Sequence, residues 1–472
     1  MTAFFEQLME SPQAFVDNTF DQGYRLSRTE LDAFHKHWTA KRFAQLRPQI
    51  PFLDKLAKEH GIESLKETVD VLPLLFAHTV YKSYPLSYLE RNRFDKLTKW
   101  LSGLTAMDLS HIDAAGIESI DDWLDLLDKE TPLMVHHTSG TTGKLSFLPR
   151  TKLQARQVGI LTSNMLRDWD GPHSRPDMLK QHRPLISAGY RHGAAMAQRM
   201  AGIQVELYAG SDDNALFLYP DLRFSADLQS LAGRMRAAEA KGELGSLEIS
   251  PALLRRREEL IERERQRPQA MAGFLDTART RFAGQDIYIG GIYSMVLDWA
   301  VDGLKQGHKQ VFGANSFLST GGGMKGRVFP DNWRDTIREF LGFGNFQEVY
   351  AMTECMGMAP LCSEGHYHLP VTTVPFLLDP KSGALLPQRD GTTGRFAFMD
   401  LLSESYWAAM ISGDKVTMGG WQAPCACGRV SCYVEKDVTR LTAEEGGDDK
   451  VLCSGAPEAH NAALDFLASY SN

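Results

Sequence analysis

The sequence has no run of the roughly 20 apolar residues that a transmembrane helix requires. Its N-terminus, M-T-A-F-F-E-Q-L-M-E-S-P, lacks the basic segment and apolar core of a secretory signal. It also lacks an excess of positive charge, since 51 lysines and arginines oppose 59 aspartates and glutamates and the formal net charge is −8. We therefore expect a cytoplasmic protein, with neither a nucleic acid nor a membrane as its partner.

Cysteine is scarce and unevenly placed. A disulfide framework of the kind that holds small secreted domains would spread cysteines along the whole chain. Here the six cysteines all fall in the last quarter of 472 residues, which indicates a local site rather than a framework. They are Cys355, Cys362, Cys425, Cys427, Cys432 and Cys453. The remaining composition is ordinary for a soluble enzyme, and the chain is long enough for two to three subdomains.

A run of small and hydroxylated residues followed by a lysine, T-S-G-T-T-G-K, has the composition of a phosphate-binding loop. Glycines allow backbone N–H groups to approach a ligand, hydroxyls add donors, and the lysine adds positive charge. Predicted buried strands flank the run, at Leu133–Val135 and at Phe147–Leu148, whereas a helix follows the G-x-x-x-x-G-K-[ST] loop directly. A flexible surface loop is the alternative. The residues of the run are Thr138, Ser139, Gly140, Thr141, Thr142, Gly143 and Lys144.

This run resembles the phosphate loop of the adenylate-forming superfamily, the acyl-CoA synthetases and their relatives. Two further matches follow in the family's order: Tyr350–Glu354 (Y-A-M-T-E) is similar to its Y-x-x-T-E motif, and Ser412–Asp414 (S-G-D) to its ribose-binding aspartate. Most members have Pro-Lys where Leu145-Ser146 stand here, and the phenylacetate-CoA ligase branch has a hydroxyl residue there. The resemblance is therefore nearest to that branch and runs in patches from about Phe43 to Gly455.

The resemblance implies an α/β fold of the adenylate-forming type. We expect a helical entry segment at 1–130, an α/β nucleotide- and acyl-binding core at 131–355, a β-rich subdomain at 356–455 and a terminal helix at 456–472. The residue patterns agree, because strand-like and helical runs alternate in the core and short strands follow Glu354. Strands are predicted at Pro184–Gly189, Ile203–Tyr208, Asp286–Gly291 and Lys309–Gly313, and a capping box at Ser27–Glu30.

The region from Ala252 to Gln266 contains many arginines, which could suggest a helix that binds nucleic acid. Its arginines alternate with glutamates at helical spacing, so the local charge nearly cancels. We predict a solvated helix.

The resemblance also implies roles at an ATP site. Lys144 and the loop would orient the triphosphate, Thr353 would touch the α-phosphate, and Glu354 would coordinate Mg²⁺. Tyr350 belongs to the same motif, and Asp414 would accept hydrogen bonds from the ribose hydroxyls.

The adenine site is predicted at a glycine turn, Gly321, Gly322 and Gly323, which is similar to the small-residue turn of the family; an ordinary tight turn is the alternative. The family's arginine two residues before its paired aspartates is missing, since Gly446 stands there. Arg429 or Arg440 is the candidate substitute.

An acyl pocket is expected where the family builds it, at S-A-G-Y-R-H-G-A and G-G-I-Y-S-M. The candidate lining residues are Tyr190, His192, Ile292 and Tyr293. Packing in the core is the alternative for each of them.

A structural zinc site is implied by two cysteine stretches. Cys362–His368 resembles a C-(x)-G-x-H stretch of phenylacetate ligases, and Cys425–Cys427 with the following Gly-Arg resembles their C-P-C-G-R. Some of those enzymes join the two stretches through zinc. The ligands would be Cys362, His368, Cys425 and Cys427, the closed donor set of a structural site. His366, Cys432 or Cys453 could replace one ligand, and separate buried thiols are the alternative.

The chain departs from the family after Asp448–Gly455, which resembles the hinge into a mobile C-terminal domain. Only 17 residues follow, so we expect that domain, with its lysine, to be absent or supplied by another chain. The predicted reaction is ATP-dependent formation of an acyl-adenylate from a small-molecule carboxylic acid.

The acyl acceptor is open and could be CoA, an amine or a protein thiol, and a partner protein or a homodimer is possible. One alternative is an acyl-protein synthetase that forms a thioester on Cys432 or Cys453. The other is a catalytically silent nucleotide-binding protein.

Overall fold

The computed structural model describes residues 3–17, 20–138, 144–168, 170–171, 173–239, 242–247, 249, 251–320, 328–447, 463 and 466–467. The α-helices of this part are α1 Ala3–Glu10, α2 Ala14–Asp17, α3 Arg28–Leu46, α4 Pro51–Glu59, α5 Ser87–Glu90, α6 Phe94–Ser102, α7 Ile120–Glu130, α8 Lys152–Arg167, α9 Met196–Gln204, α10 Ala226–Glu239, α11 Pro251–Arg255, α12 Arg257–Arg281, α13 Tyr293–Lys305 and α14 Trp333–Leu341. Every one of these helices is too short or too polar to span a bilayer.

The strands of the described part are β1 Phe76–Ala77, β2 His136–His137, β3 Phe147–Leu148, β4 Leu185–Gly193, β5 Ala215–Phe224, β6 Tyr288–Gly291, β7 Phe317–Thr320, β8 Phe346–Tyr350, β9 Ala359–Pro360, β10 His366–His368, β11 Thr373–Leu378, β12 Thr392–Asp400, β13 Ala409–Gly419, β14 Tyr433–Glu435 and β15 Thr439–Arg440. Short 3₁₀ turns include Thr68–Leu74 and Val80–Lys82, and Val205–Ala209 forms a π-helical turn.

A mixed, mostly parallel sheet organises the middle of the chain, with strand order β5-β4-β6-β7-β8-β9. Strands β4 to β8 are parallel and only β9 is antiparallel within this sheet. Crossovers that contain helices connect the parallel strands, as parallel pairing requires. The carboxyl ends of the parallel strands consequently meet along one edge, where α/β sheets usually bind their ligands.

A second, mainly antiparallel sheet follows, with order β10-β14-β13-β12-β11. Strand β13 lies at its centre and also pairs with β1 and β15. Its residues alternate between buried and partly buried positions, and the buried ones join the N-terminal helices in one continuous apolar core. The predicted α/β class with an additional β-rich part is thus confirmed.

The first long helix begins as the sequence predicts. The side chain of Ser27 accepts a hydrogen bond from the backbone N–H of Glu30, and the Glu30 carboxylate accepts one from the backbone N–H of Ser27. These reciprocal bonds satisfy two donors that a helix N-terminus otherwise leaves free. The predicted capping box is therefore confirmed.

Helices α7 and α10 cap each other's N-termini. The carboxylate of Asp227 accepts hydrogen bonds from the backbone N–H groups of Ile120 and Asp121, at 2.9 and 3.1 Å. The carboxylate of Asp121 accepts one from the N–H of Ala226 at 3.0 Å and a second from the hydroxyl of Ser225. This exchange fixes the start of α10 beside the carboxyl end of β5.

Two predicted strands are wrong, and the strand predicted at Leu133–Val135 is shifted to β2 at His136–His137. Residues 203–208 continue α9 into the π-helical turn, because Ile203 and Leu207 pack where Gly159 of α8 has no side chain; a Cβ at Gly159 would lie 2.5 and 2.8 Å from their side-chain atoms. Residues 309–313 form a loop, and the adjacent strand is instead β7, Phe317–Thr320. In both cases short apolar runs have the length of a strand but not its tertiary neighbours.

Candidate functional site

A cavity of about 1180 Å³ lies at the carboxyl ends of β4, β6, β7 and β8 and extends to β13 of the second sheet. It is larger than the roughly 300–1,000 Å³ typical of a site for one small ligand. Residues from distant parts of the chain meet here, as they do in sites built at the edge of a parallel sheet. The predicted site residues that line this cavity are Thr138, Lys144, Tyr190, Ile292, Thr353, Glu354 and Asp414.

Other predicted residues lie elsewhere or outside the described part. His192 is exposed on β4, and Tyr293 packs against Trp333 with its hydroxyl 3.2 Å from Glu348, so neither lines the cavity in the described part of the chain. Ser139, Gly140, Thr141, Thr142 and Gly143 of the loop, and Gly321, Gly322 and Gly323 of the predicted adenine turn, lie outside the described residues.

Of the two candidate arginines, Arg440 lines the cavity and Arg429 does not. The reason is strand pairing, because β15 pairs with β13 and places Arg440 directly opposite Asp414. Arg429 lies over the ring of Tyr24, and its carbonyl accepts a hydrogen bond from the N–H of Cys425. The structure thus places Arg440, and not Arg429, at the cavity wall beside Asp414.

Asp414 is held by two neighbours from different strands. The hydroxyl of Tyr350, at the end of β8, donates a 2.6 Å hydrogen bond to its Oδ2 atom, and Nε of Arg440 lies 3.0 Å from Oδ1. Burial, with the charge of Asp414 second, raises the pKa of Tyr350 well above its usual value, so this phenol stays protonated as a donor. The carboxylate is therefore fixed in one orientation at the cavity wall.

The turn that carries Thr353 and Glu354 is clamped from behind by Arg150. The Nη2 atom of this fully buried arginine donates hydrogen bonds to the carbonyl oxygens of Thr353 and Cys355, at 2.9 and 2.8 Å. Because Arg150 follows β3 directly, the segment after the predicted loop is tied to the segment after β8. Arg150 belongs to none of the motifs by which the sequence predicts the site.

Glu354 lies half-buried in the cavity wall. Burial raises the pKa of its carboxyl group, and nearby Arg440 partly offsets this rise. Just behind it, Asp400 accepts a 2.6 Å hydrogen bond from the N–H of Met356, which fixes the chain as it leaves the turn. Such a carboxyl group in a polar cavity fits a divalent cation, since hard cations prefer carboxylate oxygen.

Lys144 enters the cavity next to Tyr84. Its ammonium group donates a 2.7 Å hydrogen bond to the Tyr84 carbonyl and lies 5.6 Å from the centre of the Tyr84 ring. The Tyr84 hydroxyl in turn donates to the carbonyl of Leu145 at 2.9 Å. Tyr84 therefore holds the residues that directly follow the loop.

Two further basic residues of the cavity were missed by the sequence analysis. His78 and the largely buried Lys82 line it from the turn at Val80–Lys82, about 60 residues before Lys144. Neither residue belongs to a motif that the sequence presents. The short pairing of β1 with β13, together with the hydrogen bond from the Tyr81 hydroxyl to the Trp407 carbonyl, brings this segment to the site.

One part of the cavity is apolar and aromatic. The ring of Tyr190 lies 4.5 Å from that of Tyr219 and 5.4 Å from that of Phe224, measured between centroids. Methionines from helices on both sides of the sheet complete this wall. They are Met196, Met200, Met271 and Met295, whose flexible side chains suit ligands of varied shape.

The four predicted metal ligands converge. The donor atoms of Cys362, His368, Cys425 and Cys427 all lie within 4.8 Å of one another. The sulfurs of Cys362 and Cys425 are 4.0 Å apart, and Nε2 of His368 is 3.3 Å from the sulfur of Cys427. Sulfurs that each bind a tetrahedral zinc at about 2.3 Å lie about 3.8 Å apart, so this donor set fits zinc.

A neighbouring hydroxyl orients the imidazole of that group. Nδ1 of His368 is hydrogen-bonded to the hydroxyl of Ser431 at 3.1 Å, which leaves Nε2 to face the cysteines. Outer hydrogen bonds of this kind fix the ring of a metal-binding histidine. His366, an alternative ligand, has Nδ1 3.2 Å from the sulfur of Cys425 and stacks on Tyr433.

Cys355 and Cys432 lie apart from the four donors. Cys432 is buried and its sulfur accepts a 3.0 Å hydrogen bond from Arg28, while burial raises its pKa to about 11 despite that arginine. Burial likewise raises the pKa of Cys355 well above its usual value. Neither thiol is suited to accept an acyl group, and Cys453 lies outside the described residues.

No protein-family model matches the chain, and no curated protein matches its sequence. Among solved structures it is similar to 2-hydroxyisobutyryl-CoA ligase in an open conformation with 2-HIB-AMP and CoA, at 13% identity and a TM-score of 0.47, over 89% of this chain and 77% of that one.

It is also similar to a long-chain-fatty-acid-CoA ligase from Archaeoglobus fulgidus, at 9% identity and a TM-score of 0.33, over 66% of this chain and 52% of that one. A third similar structure is an amide bond synthetase from Marinactinospora thermotolerans, at 11% identity and a TM-score of 0.34, over 64% of this chain and 47% of that one.

Proposed function

We propose that this chain is an adenylate-forming ligase, which activates a carboxylic acid with ATP to give an acyl-adenylate and pyrophosphate. One observation carries the proposal. Lys144, the Thr353–Glu354 turn and Asp414 come from three distant segments, and all of them line one cavity that also has an apolar wall. A phosphate-binding end and an apolar end in the same cavity are what the joining of a nucleotide to an organic acid requires.

The basic side chains bind the phosphates. Lys144 and Lys82 line the same cavity and place two ammonium groups where the charge of a triphosphate would lie. Lys144 exchanges the Tyr84 carbonyl for phosphate oxygen, a charge-assisted and therefore stronger hydrogen bond. The hydroxyl of Thr353 lies on the clamped turn and serves as a further donor to the α-phosphate.

Glu354 is the residue placed to hold Mg²⁺, which would neutralise phosphate charge during the reaction when bound. The Arg150 clamp keeps this carboxyl group at the wall without entering the cavity. Arg150 is therefore a positioning residue.

The ribose is bound by Asp414. Its two oxygens are oriented by Tyr350 and Arg440 and retain lone pairs for the sugar hydroxyls. Because Tyr350 precedes Thr353 by three residues, the ribose and α-phosphate contacts are built on one continuous segment of chain.

The acid lies with its body against the apolar wall at Tyr190 and Ile292 and its carboxylate toward Thr353. A carboxylate oxygen attacks the α-phosphorus, a new C(O)O–P bond forms, and the bond between the α-phosphorus and the oxygen that joins it to the β-phosphorus breaks. Pyrophosphate leaves with the electron pair of that bond. The cations of the cavity stabilise the charge that develops on the leaving group.

The zinc proposed at the cysteine cluster would be structural. Its three thiolates and one imidazole fill a tetrahedral site and leave no position for substrate. It would join the loop after β9 to the loop after β13, which are close to the Thr353–Glu354 turn and to Asp414 along the chain.

Acid-dependent exchange of labelled pyrophosphate into ATP tests the proposal. Purified protein with Mg²⁺ and a panel of aryl and aliphatic acids should exchange label with at least one acid and none without acid. Glu354→Ala should lose exchange, while Glu339→Ala, which changes an exposed residue of α14, should retain it. ATP binding without exchange for any acid would contradict the proposal and support the silent nucleotide-binding alternative.

A further inference from the structure

Two glutamines in the cavity have buried polar atoms without a hydrogen-bond partner among the described residues. Gln229 of α10 is 2% exposed, and its Nε2 atom has no partner. The Oε1 atom of Gln198 in α9 is also buried and unpaired. Both side chains line the cavity. Buried polar groups are almost always hydrogen-bonded, so a donor and an acceptor left free at a cavity wall indicate a ligand that pairs with them.

The two glutamines flank the same aromatic residue. A Cβ at Gly193 would lie 3.1 Å from the Gln198 side chain and 3.1 Å from that of Phe224, so both of these pack against Gly193. The N–H of Gln229 donates to the carbonyl of Ser225, the residue after Phe224, and thereby places Gln229 on the first turn of α10. Both glutamines thus lie in the first turns of helices that begin just after β4 and β5, beside the aromatic wall, and together we call them the polar patch.

This patch is remote from the Thr353–Glu354 turn, toward which the acid carboxylate points in the proposed function. It lies at the ends of β4 and β5, whereas Thr353 and Glu354 follow β8. Three strand spacings of about 4.8 Å separate β4 from β8, about 14 Å across the sheet. A group bound at the patch therefore belongs to the end of the acid that lies away from its carboxylate.

We propose that the acid activated at this site carries a second, uncharged hydrogen-bonding group, a hydroxyl or an amide, which is bound by the side-chain amides of Gln198 and Gln229. This inference rests on the proposed function for the identity of the ligand as a carboxylic acid. An uncharged group is favoured because the patch offers amide oxygen and nitrogen, which can accept from and donate to one hydroxyl. A plain alkyl or aryl end would leave both amides unpaired, and sites built for a hydroxyl reject analogues that lack it.

Matched acid pairs test the proposal. Calorimetry in the presence of α,β-methylene-ATP, which cannot release pyrophosphate, measures the affinity for phenylacetate against 4-hydroxyphenylacetate and for decanoate against 10-hydroxydecanoate. In at least one pair the hydroxylated acid should bind about tenfold or more tightly, as expected for a hydrogen bond to a buried group. Gln229→Leu should abolish this preference.

Gln204→Leu is the matched control. Gln204 lines the same cavity, but its amide already donates to the Tyr288 hydroxyl at 3.4 Å, so its loss should leave the preference intact. Gln229→Leu should also melt no lower than wild type, because leucine replaces a side chain whose buried Nε2 atom has no partner among the described residues. A clearly lower melting temperature would show that the amide serves the fold and would overturn the inference.

The outcomes for this inference and for the proposed function are separate. Equal affinity within each pair, or no binding of any of these acids, overturns the inference. If the unhydroxylated acids support pyrophosphate exchange as fast as their hydroxylated partners, the inference is also overturned, whereas the proposed function is supported. Selective, Gln229-dependent binding without any exchange supports the inference as a binding site and contradicts the proposed reaction.

Discussion

The hydroxyl of Tyr350 donates a 2.6 Å hydrogen bond to the carboxylate of Asp414, although the two residues are 64 positions apart in the chain. This contact joins the mostly parallel sheet to the antiparallel sheet at the wall of the cavity. Tyr350→Phe should therefore weaken ATP binding about three- to tenfold, since the carboxylate loses a charge-assisted hydrogen bond that orients it. Titration calorimetry with ATP measures the change.

Tyr367→Phe is the control for this substitution. The ring of Tyr367 lies 6.0 Å from that of Tyr350, so the variant removes a hydroxyl from a neighbouring ring without changing the bond to Asp414. We expect unchanged ATP affinity in this variant. If Tyr350→Phe and Tyr367→Phe lose ATP affinity equally, the hydrogen bond that orients Asp414 is not the cause of the loss.

Arg150→Lys should lower pyrophosphate exchange tenfold or more while ATP still binds. One guanidinium nitrogen of Arg150 donates to the carbonyls of Thr353 and Cys355, on either side of Glu354, and a lysine is a flexible point charge that cannot reproduce the planar donor group. Steady-state exchange rates at saturating ATP measure the loss. Arg156→Lys is the control. Arg156 lies in α8 and forms a partly exposed ion pair with Glu206, so this variant should exchange pyrophosphate at the wild-type rate. A wild-type rate of pyrophosphate exchange in Arg150→Lys would contradict the proposal that Arg150 positions the Thr353–Glu354 turn.

Protein purified without chelators should contain about one zinc per chain, and Cys425→Ser should lose it. The variant should also melt at a lower temperature and bind ATP more weakly, because the metal joins two segments that both lead to the cavity. Cys432→Ser should retain the zinc, since this thiol bonds with Arg28 and lies outside the group of four donors. If elemental analysis finds no zinc in the wild type, the zinc site is wrong and the four residues are an ordinary buried cluster.

Acid should destabilise the protein partly through His35. Burial lowers the pKa of this imidazole to about 4, below the 6.5 of an unfolded chain, despite its 2.8 Å hydrogen bond to the Val371 carbonyl. A histidine with a lowered folded pKa contributes its full stability above pH 6.5 and loses it progressively as the pH falls to about 4. His35→Gln, which keeps an amide donor, should therefore lose less stability over this range, by up to about 3 kcal/mol.

Urea unfolding at several pH values measures that difference. His60→Gln changes an exposed histidine and should follow the wild-type curve. Parallel curves for wild type and His35→Gln between pH 6.5 and 4 would contradict the burial of a neutral imidazole at this position.

Much of the fold could be predicted because local signals agree with tertiary structure. The capping box at Ser27 and the strand at β6 depend on short-range patterns that the surroundings only reinforce. The segment at Ile203 failed for a tertiary reason, since the close approach of Gly159 in α8 allows a helix where the residues alternate like a strand. Strand β5 was missed altogether.

The site could be predicted only where its residues belong to sequence motifs that follow one another in the family's order. The motifs at Lys144, Glu354 and Asp414 led to side chains that share one cavity. Arg150, Lys82 and the two glutamines could not be found in this way, because single residues of common types reach the cavity through packing between segments far apart in sequence. The role of Arg150 depends on its buried hydrogen bonds, and that of the two glutamines on unpaired amide atoms, neither of which a sequence pattern shows.

The central claim is that a carboxylate oxygen bonds to the α-phosphorus of ATP, and transfer of ¹⁸O tests it most directly. An acid that supports exchange is prepared with ¹⁸O in its carboxylate and incubated with the protein, ATP, Mg²⁺ and hydroxylamine, which takes the acyl group by attack at its carbonyl carbon. Mass spectrometry should then find AMP that carries one ¹⁸O atom, together with the acyl hydroxamate. Unlabelled AMP, or label in inorganic phosphate with ADP as the nucleotide product, would contradict the account.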